Sequence, residues 1–319
     1  EKTTVGGEEV AAFIPAPLPP TKPRLAMVGS PDERLRAAEQ ALARLELAGE
    51  MVPSIDWFIY AFVRKEAVVS SQIEGTQATL VDLLTFEAES GGGPRSADVE
   101  EVCNYLDALD FARTQLADSS GLPLSMRLLN KTHARLMQGV RGADKRPGAV
   151  RRTQSWIGGS RPGNATFVPP PPHALGELLT AFEKYMHADD DLPPLVRAGL
   201  LHVQFETIHP YLDGNGRMGR LLVTLLLEHR KLLTQPLLYL SLFFKRHRTD
   251  YYDRLGAVRT SGDWEGWTEF FLDGVATIAE EAVISARELF TLVTEDRTRA
   301  LDHAGTSVAA VRLFELLPR

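Results

Sequence analysis

Twelve consecutive residues, His209-Pro210-Tyr211-Leu212-Asp213-Gly214-Asn215-Gly216-Arg217-Met218-Gly219-Arg220, gather an imidazole, a carboxylate, two glycines around an asparagine, and two guanidinium groups. Together these groups can move a proton, hold a divalent metal and grip phosphate. A histidine that titrates near neutral pH suits a general base. An acid beside bound phosphates is a natural Mg²⁺ ligand. Gly214, Asn215 and Gly216 tolerate left-handed backbone and bring no bulk. Arg217 and Arg220, three residues apart, can share a helix face and reach one anion. Taken singly, each feature has an ordinary explanation as a cap, a solvated face or a turn; their coincidence in one order points to chemistry.

The flanks explain how such a run is positioned. Upstream, Val196, Leu200 and Val203 repeat at helical spacing, as do Leu201, Phe205 and Ile208, which predicts a largely buried helix. Pro210 biases His209 out of the helical region, so that helix should stop near Ile208. Downstream, Met218, Leu221, Leu222, Leu225, Leu226 and Leu227 predict a second apolar helix. The chemical run is therefore a tight loop entering a helix N-terminus, where free N–H groups and the helix dipole form an anion site.

The run closely resembles the signature of the Fic family, His-Pro-Phe-x-[Asp/Glu]-Gly-Asn-Gly-Arg-x-x-Arg, departing only at Tyr211, which keeps the ring and adds a hydroxyl. Phe205-Glu206-Thr207-Ile208, the segment from Ala12 to Pro20, the segment from Trp156 to Pro170, and Tyr251-Tyr252 with Gly262 to Trp267 extend the likeness over nearly the whole chain. The resemblance implies an all-α Fic fold with a small β-hairpin flap. It also implies a protein adenylyltransferase that moves AMP from ATP to a Ser, Thr or Tyr hydroxyl of a target protein, or of the chain itself. Mapped onto this sequence, His209 would be the base and Asp213 the Mg²⁺ ligand. Gly214, Asn215 and Gly216 would cradle the phosphates, with the Asn215 side chain on the α-phosphate. Arg217 would hold the β-phosphate and Arg220 would orient the γ-phosphate.

Ser70-Ser71-Gln72-Ile73-Glu74-Gly75 fits the family's inhibitory pattern, [Ser/Thr]-x-x-x-Glu-[Gly/Asn]. Trp57, Phe58, Tyr60, Ala61 and Ala67 predict a helix running into it, with Gly75 as its cap. Ser70 and Glu74 then lie one turn apart on one face. The resemblance implies that Glu74 pairs with Arg220 and denies it to the γ-phosphate. Around Trp156 to Pro172, glycines and Pro162 predict a turn and Thr166 to Val168 a short strand stopped by prolines. By resemblance this is a flap that docks the target by its backbone edge, with Ile157 and Phe167 as hydrophobic clamps. Tyr251 and Tyr252 match family residues near the nucleotide, where an aromatic face could stack on adenine. His202 and Glu206, four apart, lack the His-Glu-x-x-His pattern of zinc proteases and are not expected to bind a transition metal.

The 319 residues carry 44% hydrophobic and 24% charged side chains, an ordinary globular balance. The net charge of −7 argues against broad non-specific nucleic-acid binding. The single Cys103 excludes an intrachain disulfide and fits a reducing cytoplasm. There is no membrane-spanning run and no signal peptide, so the Asn164-Ala165-Thr166 sequon is discounted. The first residue is Glu rather than Met, so an upstream piece is expected to have been removed. Three regions are expected: 1–95, with a proline-rich extended arm over 1–23 and the inhibitory helix; a catalytic core over 96–275, after a glycine linker from Ser90 to Pro94; and C-terminal helices over 276–319. Helices are predicted over Val99 to Leu116, Leu124 to Leu136 and Asp263 to Arg287. Thr306 to Leu317 begins a new helical pattern. Members of the family continue there into a winged-helix module, so the chain is expected to be truncated, and DNA binding would belong to the missing part. The resemblance leaves open a homodimer, the reverse reaction with Glu74 positioning water, transfer of UMP or phosphocholine, and a DNA-binding regulator. The intact His209 and phosphate-gripping residues favour a nucleoside triphosphate and a working enzyme.

Overall fold

The apolar periodicities assemble into eleven α-helices in a computed structural model that describes residues 1–51, 55–89, 96–304 and 312. They are α1 (Ser30–Met51), α2 (Ile55–Ile73), α3 (Leu80–Ala88), α4 (Ala97–Ala117), α5 (Met126–Leu136), α6 (Leu175–His187), α7 (Pro194–Ile208), α8 (Asn215–His229), α9 (Ser241–Arg246), α10 (Arg248–Ser261) and α11 (Trp264–Ala304). Helix starts follow local capping chemistry: the Ser96 and Ser125 side chains accept from Val99 and Leu128 N–H, and Thr79 forms a capping box with Asp82.

The centre of the fold is α7 and α8. Every side chain of α7 from Leu195 to Ile208 is buried, as is α8 from Arg217 to Leu227. Burying such apolar surface contributes about 25 cal/mol per Å². Polar residues on these helices therefore persist only where they find partners. α6, α10 and α11 pack on α7; α2, α4 and α5 pack on α8; α1 lies along α11. Two inward helices joined by a short loop place that loop at a fixed point of the core.

Three expectations change. Residues 2–11, expected as part of an extended arm, form an antiparallel hairpin of β1 (Lys2–Val5) and β2 (Glu8–Ala11), with Lys2 opposite Ala11 and Val5 opposite Glu8. Gly6 and Gly7, both at positive φ, make the two-residue turn that matches strand twist, and Thr3, Thr4, Val5 and Val10 suit a pleated surface. The strand expected over Thr166 to Val168 reduces to a single antiparallel bridge between Ile157 and Phe167. Beyond it the Val168 carbonyl accepts from Phe13 N–H at 2.9 Å, so the arm takes the edge. Finally, α11 continues well past Arg287, and the boundary expected at 275/276 falls inside it. No glycine or proline interrupts Glu288 to Ala304, and its Glu, Leu, Arg and Ala residues favour helix. The linker from Ser90 to Pro94 and, apart from Arg312, the Thr306–Leu317 pattern lie outside the described residues. Among the described residues no helix is long and apolar enough to cross a membrane.

Candidate active site

α7 ends at Ile208, and His209 turns left-handed at φ 50° and ψ 62° while its N–H still donates to the Phe205 carbonyl. A non-glycine residue in this region carries a strain of order 1–3 kcal/mol, so surrounding contacts must hold it. Arg151 does much of this. Its Nε donates to the His209 carbonyl at 2.9 Å and its backbone N–H to the Pro210 carbonyl at 2.9 Å. The same buried guanidinium donates to the carbonyls of Thr153 at 3.3 Å and Pro170 at 2.5 Å, at the two stems of the Ile157/Phe167 segment.

The loop after His209 is clasped from inside. The Asn215 side chain accepts from Tyr211 N–H and donates to the Tyr211 carbonyl, both at 2.9 Å. The side chain expected to touch a phosphate thus also staples the loop. The Tyr211 ring stacks on His133 at 3.8 Å between centroids and 7° between planes, and its extra hydroxyl donates to Asn130 Oδ1 at 2.8 Å. Gly148 N–H donates to His133 Nδ1, so Nε2 carries the proton and donates to the Asp213 carbonyl at 2.9 Å. Burial pushes His133 down to about 4, which keeps it the neutral donor this arrangement needs.

Gly214, at φ 75°, starts α8, and a Cβ there would come within 2.6 Å of Met137 Sδ. Any larger residue would be strained in this backbone and would have to displace Met137. The N–H groups of Asn215, Gly216 and Arg217 then open the helix without intrahelical acceptors, an anion site backed by the dipole. Arg217 is 1% exposed and donates to Glu101 Oε2 at 3.2 Å. Its Nε is buried without a partner among the described residues. Asp213 is half-buried. Its Oδ1 accepts from Gly214 N–H at 2.6 Å, and its Oδ2 faces the bare Cα of Gly142, where a Cβ would approach to 2.6 Å.

Arg220 turns to a different neighbour. Its Nε donates to Ser70 Oγ at 2.9 Å, and one terminal nitrogen donates both to the Ser70 carbonyl at 2.9 Å and to Glu74 Oε1 at 2.7 Å. Glu74 follows directly on the end of α2 and lies so close to the first turn of α8 that a Cβ at Gly216 would overlap its carboxylate. Burial alone would raise the Glu74 carboxyl, but Arg220, with Arg217, outweighs it and holds the group ionised below the usual carboxylate range. Burial would likewise lower Arg220, and the Glu74 carboxylate raises it.

His209 departs from the near-neutral titration expected of it. Burial first, then the charges of Arg151 and Arg259, push it down to about 3, and its Nδ1 lacks a well-placed partner among the described residues. The imidazole is thus neutral at ordinary pH. Glu206, one turn before the loop, moves the other way: burial pushes it up to about 7, and its Oε1 has no partner among the described residues. A carboxyl raised in the fold favours the folded state fully below its ordinary value, and that contribution is lost as pH rises to about 7. We expect the melting temperature of the native chain to fall more between about pH 5 and pH 8 than that of Glu206→Gln. Parallel curves would contradict a buried neutral acid.

The remaining expected residues are dispersed. Ile157 and Phe167 face each other through reciprocal backbone bonds of 2.8 and 3.1 Å. Tyr251 belongs to the core: it is 1% exposed and bonded to His202 Nε2 at 2.9 Å, so it has no open face for a base. Tyr252 is 45% exposed and is the member of the pair with an accessible ring. His202 spends its other nitrogen on the Gly219 carbonyl at 2.9 Å, leaving neither for a metal. Glu101, His133, Arg151 and Arg259 carry no mark in the sequence. Each acts across a long chain separation and sits in no local pattern.

Comparison with known proteins gives this geometry a lineage. Residues 33–114 match the Fic/DOC family N-terminal region, and residues 123–227 match the Fic/DOC family. The chain is 32% identical over 205 residues to a protein named Protein adenylyltransferase Fic from Culex quinquefasciatus, covering 63% of this chain and 38% of that one. It is 30% identical over 205 residues to the protein of the same name from Drosophila grimshawi, covering 63% and 39%. The chain thus spans under two fifths of the length of these curated relatives. A crystal structure of a Fic family protein from Desulfovibrio desulfuricans G20 superposes with a TM-score of 0.69 at 22% identity, over 91% of this chain and 85% of that one. A structure of Fic-1 from C. elegans superposes with a TM-score of 0.60 at 21% identity, over 82% and 73%. Both likenesses establish the fold. With the two matched regions covering α1 through most of α8, and the loop between α7 and α8 inside the second, the chain belongs to the Fic/DOC family and carries that family's N-terminal domain.

Proposed function

We propose that this chain transfers AMP from ATP to a hydroxyl side chain of a protein. The observation that carries this reading is the convergence on one loop of a neutral imidazole and an open helix N-terminus backed by two buried guanidinium groups. Phosphoryl-type transfer asks for positioning and charge stabilisation rather than covalent help from the protein. The hydroxyl oxygen bonds to the α-phosphorus, its proton passes to His209, and the bond to the β-phosphate bridge breaks to release pyrophosphate. The N–H groups of Asn215, Gly216 and Arg217 hold the phosphates, and the Arg217 guanidinium adds a positive charge beside them. Asp213, a lone hard-oxygen ligand beside the nest, suits Mg²⁺, which binds proteins through one or two carboxylates alongside substrate phosphates. Bound there, the ion would neutralise phosphate charge.

The Ser70–Glu74 clasp on Arg220 is read as self-inhibition. Arg220 is the guanidinium that Glu74 engages through a terminal nitrogen, and loss of Glu74 would release that nitrogen toward the terminal phosphate. The ionised Glu74 also supports a second reading, the reverse reaction, in which its carboxylate orients a water to remove AMP from a modified protein.

The direct test supplies the Glu74→Gly protein with ATP radiolabelled at either the α- or the γ-phosphate. We expect protein-bound label from the α-position only. Label from the γ-position would assign a kinase-like transfer and overturn the reading.

A further inference from the structure

Arg259, on α10, touches both halves of the proposed machinery without belonging to either. Its Nε donates to Thr207 Oγ1 at 3.2 Å, and a terminal nitrogen donates to the Glu206 carbonyl at 3.4 Å. These groups form the last turn of α7, immediately before His209, where the helix leaves carbonyls in need of donors. The same guanidinium lies 3.9 Å from the centroid of the Phe167 ring. Phe167 is half of the Ile157/Phe167 bridge, and its ring also neighbours that of Phe13, at 6.2 Å between centroids. Phe13 in turn donates its N–H to the Val168 carbonyl at 2.9 Å. Behind the arm, Val5, Val10, Ala12 and Val168 make a small apolar cluster of their own.

Two paired residues are weak support for a segment of chain, since an isolated hairpin is marginal in water. The Ile157/Phe167 segment must be held from outside. A cation over an aromatic face, partly removed from water, supplies such a hold while the same cation is anchored on the helix end that carries the base.

We propose that Arg259 is a positioning residue that fixes the target-docking edge at Phe167 relative to His209, with Phe13 as its partner on the ring. The proposal rests on the reading of Ile157 to Phe167 as the edge along which a protein target docks. It implies that the N-terminal hairpin is part of the docking platform, because it carries Phe13.

The test uses Arg259→Met, Arg259→Lys and Phe13→Ala in the Glu74→Gly chain. Hydrogen exchange is read at Ile157 and Phe167, with α7 and α8 amides as the folding control, alongside ATP affinity and AMP incorporation into the chain. We expect exchange at Ile157 and Phe167 to quicken about tenfold in Arg259→Met and in Phe13→Ala, with partial retention of protection in Arg259→Lys. ATP affinity should stay unchanged while AMP incorporation falls. Unchanged exchange at both amides would overturn the proposal, as would a loss of ATP affinity matching the loss of incorporation, which would place Arg259 at the nucleotide. If the Glu74→Gly parent incorporates no AMP, that outcome counts against the proposed reaction, and the exchange measurement still decides the role of Arg259.

Discussion

Replacing Glu74 with glycine is expected to raise AMP transfer about 5- to 150-fold, the range of a site-to-site coupling of roughly 1–3 kcal/mol. Two effects act together. The carboxylate engages Arg220 at 2.7 Å, and it lies against Gly216, on the path of any anion approaching the start of α8. A negative charge in a partly desolvated site repels a phosphate far more strongly than the same charge in water. Removing the carboxylate frees the guanidinium and removes that repulsion, while Ser70 keeps Arg220 partly satisfied through two bonds of 2.9 Å. This residual pairing is why the fold should survive loss of the ion pair, although breaking a buried pair usually costs about 3–5 kcal/mol. Glu74→Gln, which keeps the size and drops the charge, should give a smaller rise. Titration with ATP should show tighter binding in Glu74→Gly. A folded Glu74→Gly protein with native affinity and native transfer would remove the inhibitory role.

Replacing His209 with alanine in the Glu74→Gly chain is expected to lower transfer by about 10²–10⁴-fold, the usual worth of a positioned general base. ATP binding should be nearly unchanged, because the nest is built from the α8 N-terminus, Arg217 and Arg220. Alanine meets the same Cβ penalty as histidine at φ 50°. Arg151 also holds the backbone through the His209 carbonyl rather than through the ring. Loss of ATP affinity in parallel with transfer would instead make His209 a strut of the loop.

The sequence was most legible where the physics is local. The stop of α7 before Pro210, the start of α8 at Gly214 and the apolar faces of both helices follow from neighbours three or four residues apart. The candidate site was legible for the same reason, since its groups are contiguous from His209 to Arg220. The Glu74–Arg220 pair spans 146 residues and was visible only through the family's pattern. Where partners are distant and patternless, sequence reasoning stopped. Nothing in the chain couples Glu101 to Arg217 across 116 residues, or announces that Arg151 would gather carbonyls from the loop and both flap stems. The assignment of Tyr251 to a base failed because burial decides what a tyrosine face can do, and burial of α10 depends on α7, α9 and α11. The N-terminal hairpin did carry a local sign in Gly6-Gly7, outweighed by the prolines that follow it.

Intact-mass measurement of the native chain, Glu74→Gly and Glu74→Gly/His209→Ala after incubation with ATP and Mg²⁺ tests the central claim most directly. The account predicts a gain of one AMP per modified site, largest in Glu74→Gly and absent in the double variant. An equal gain with and without His209 would contradict it.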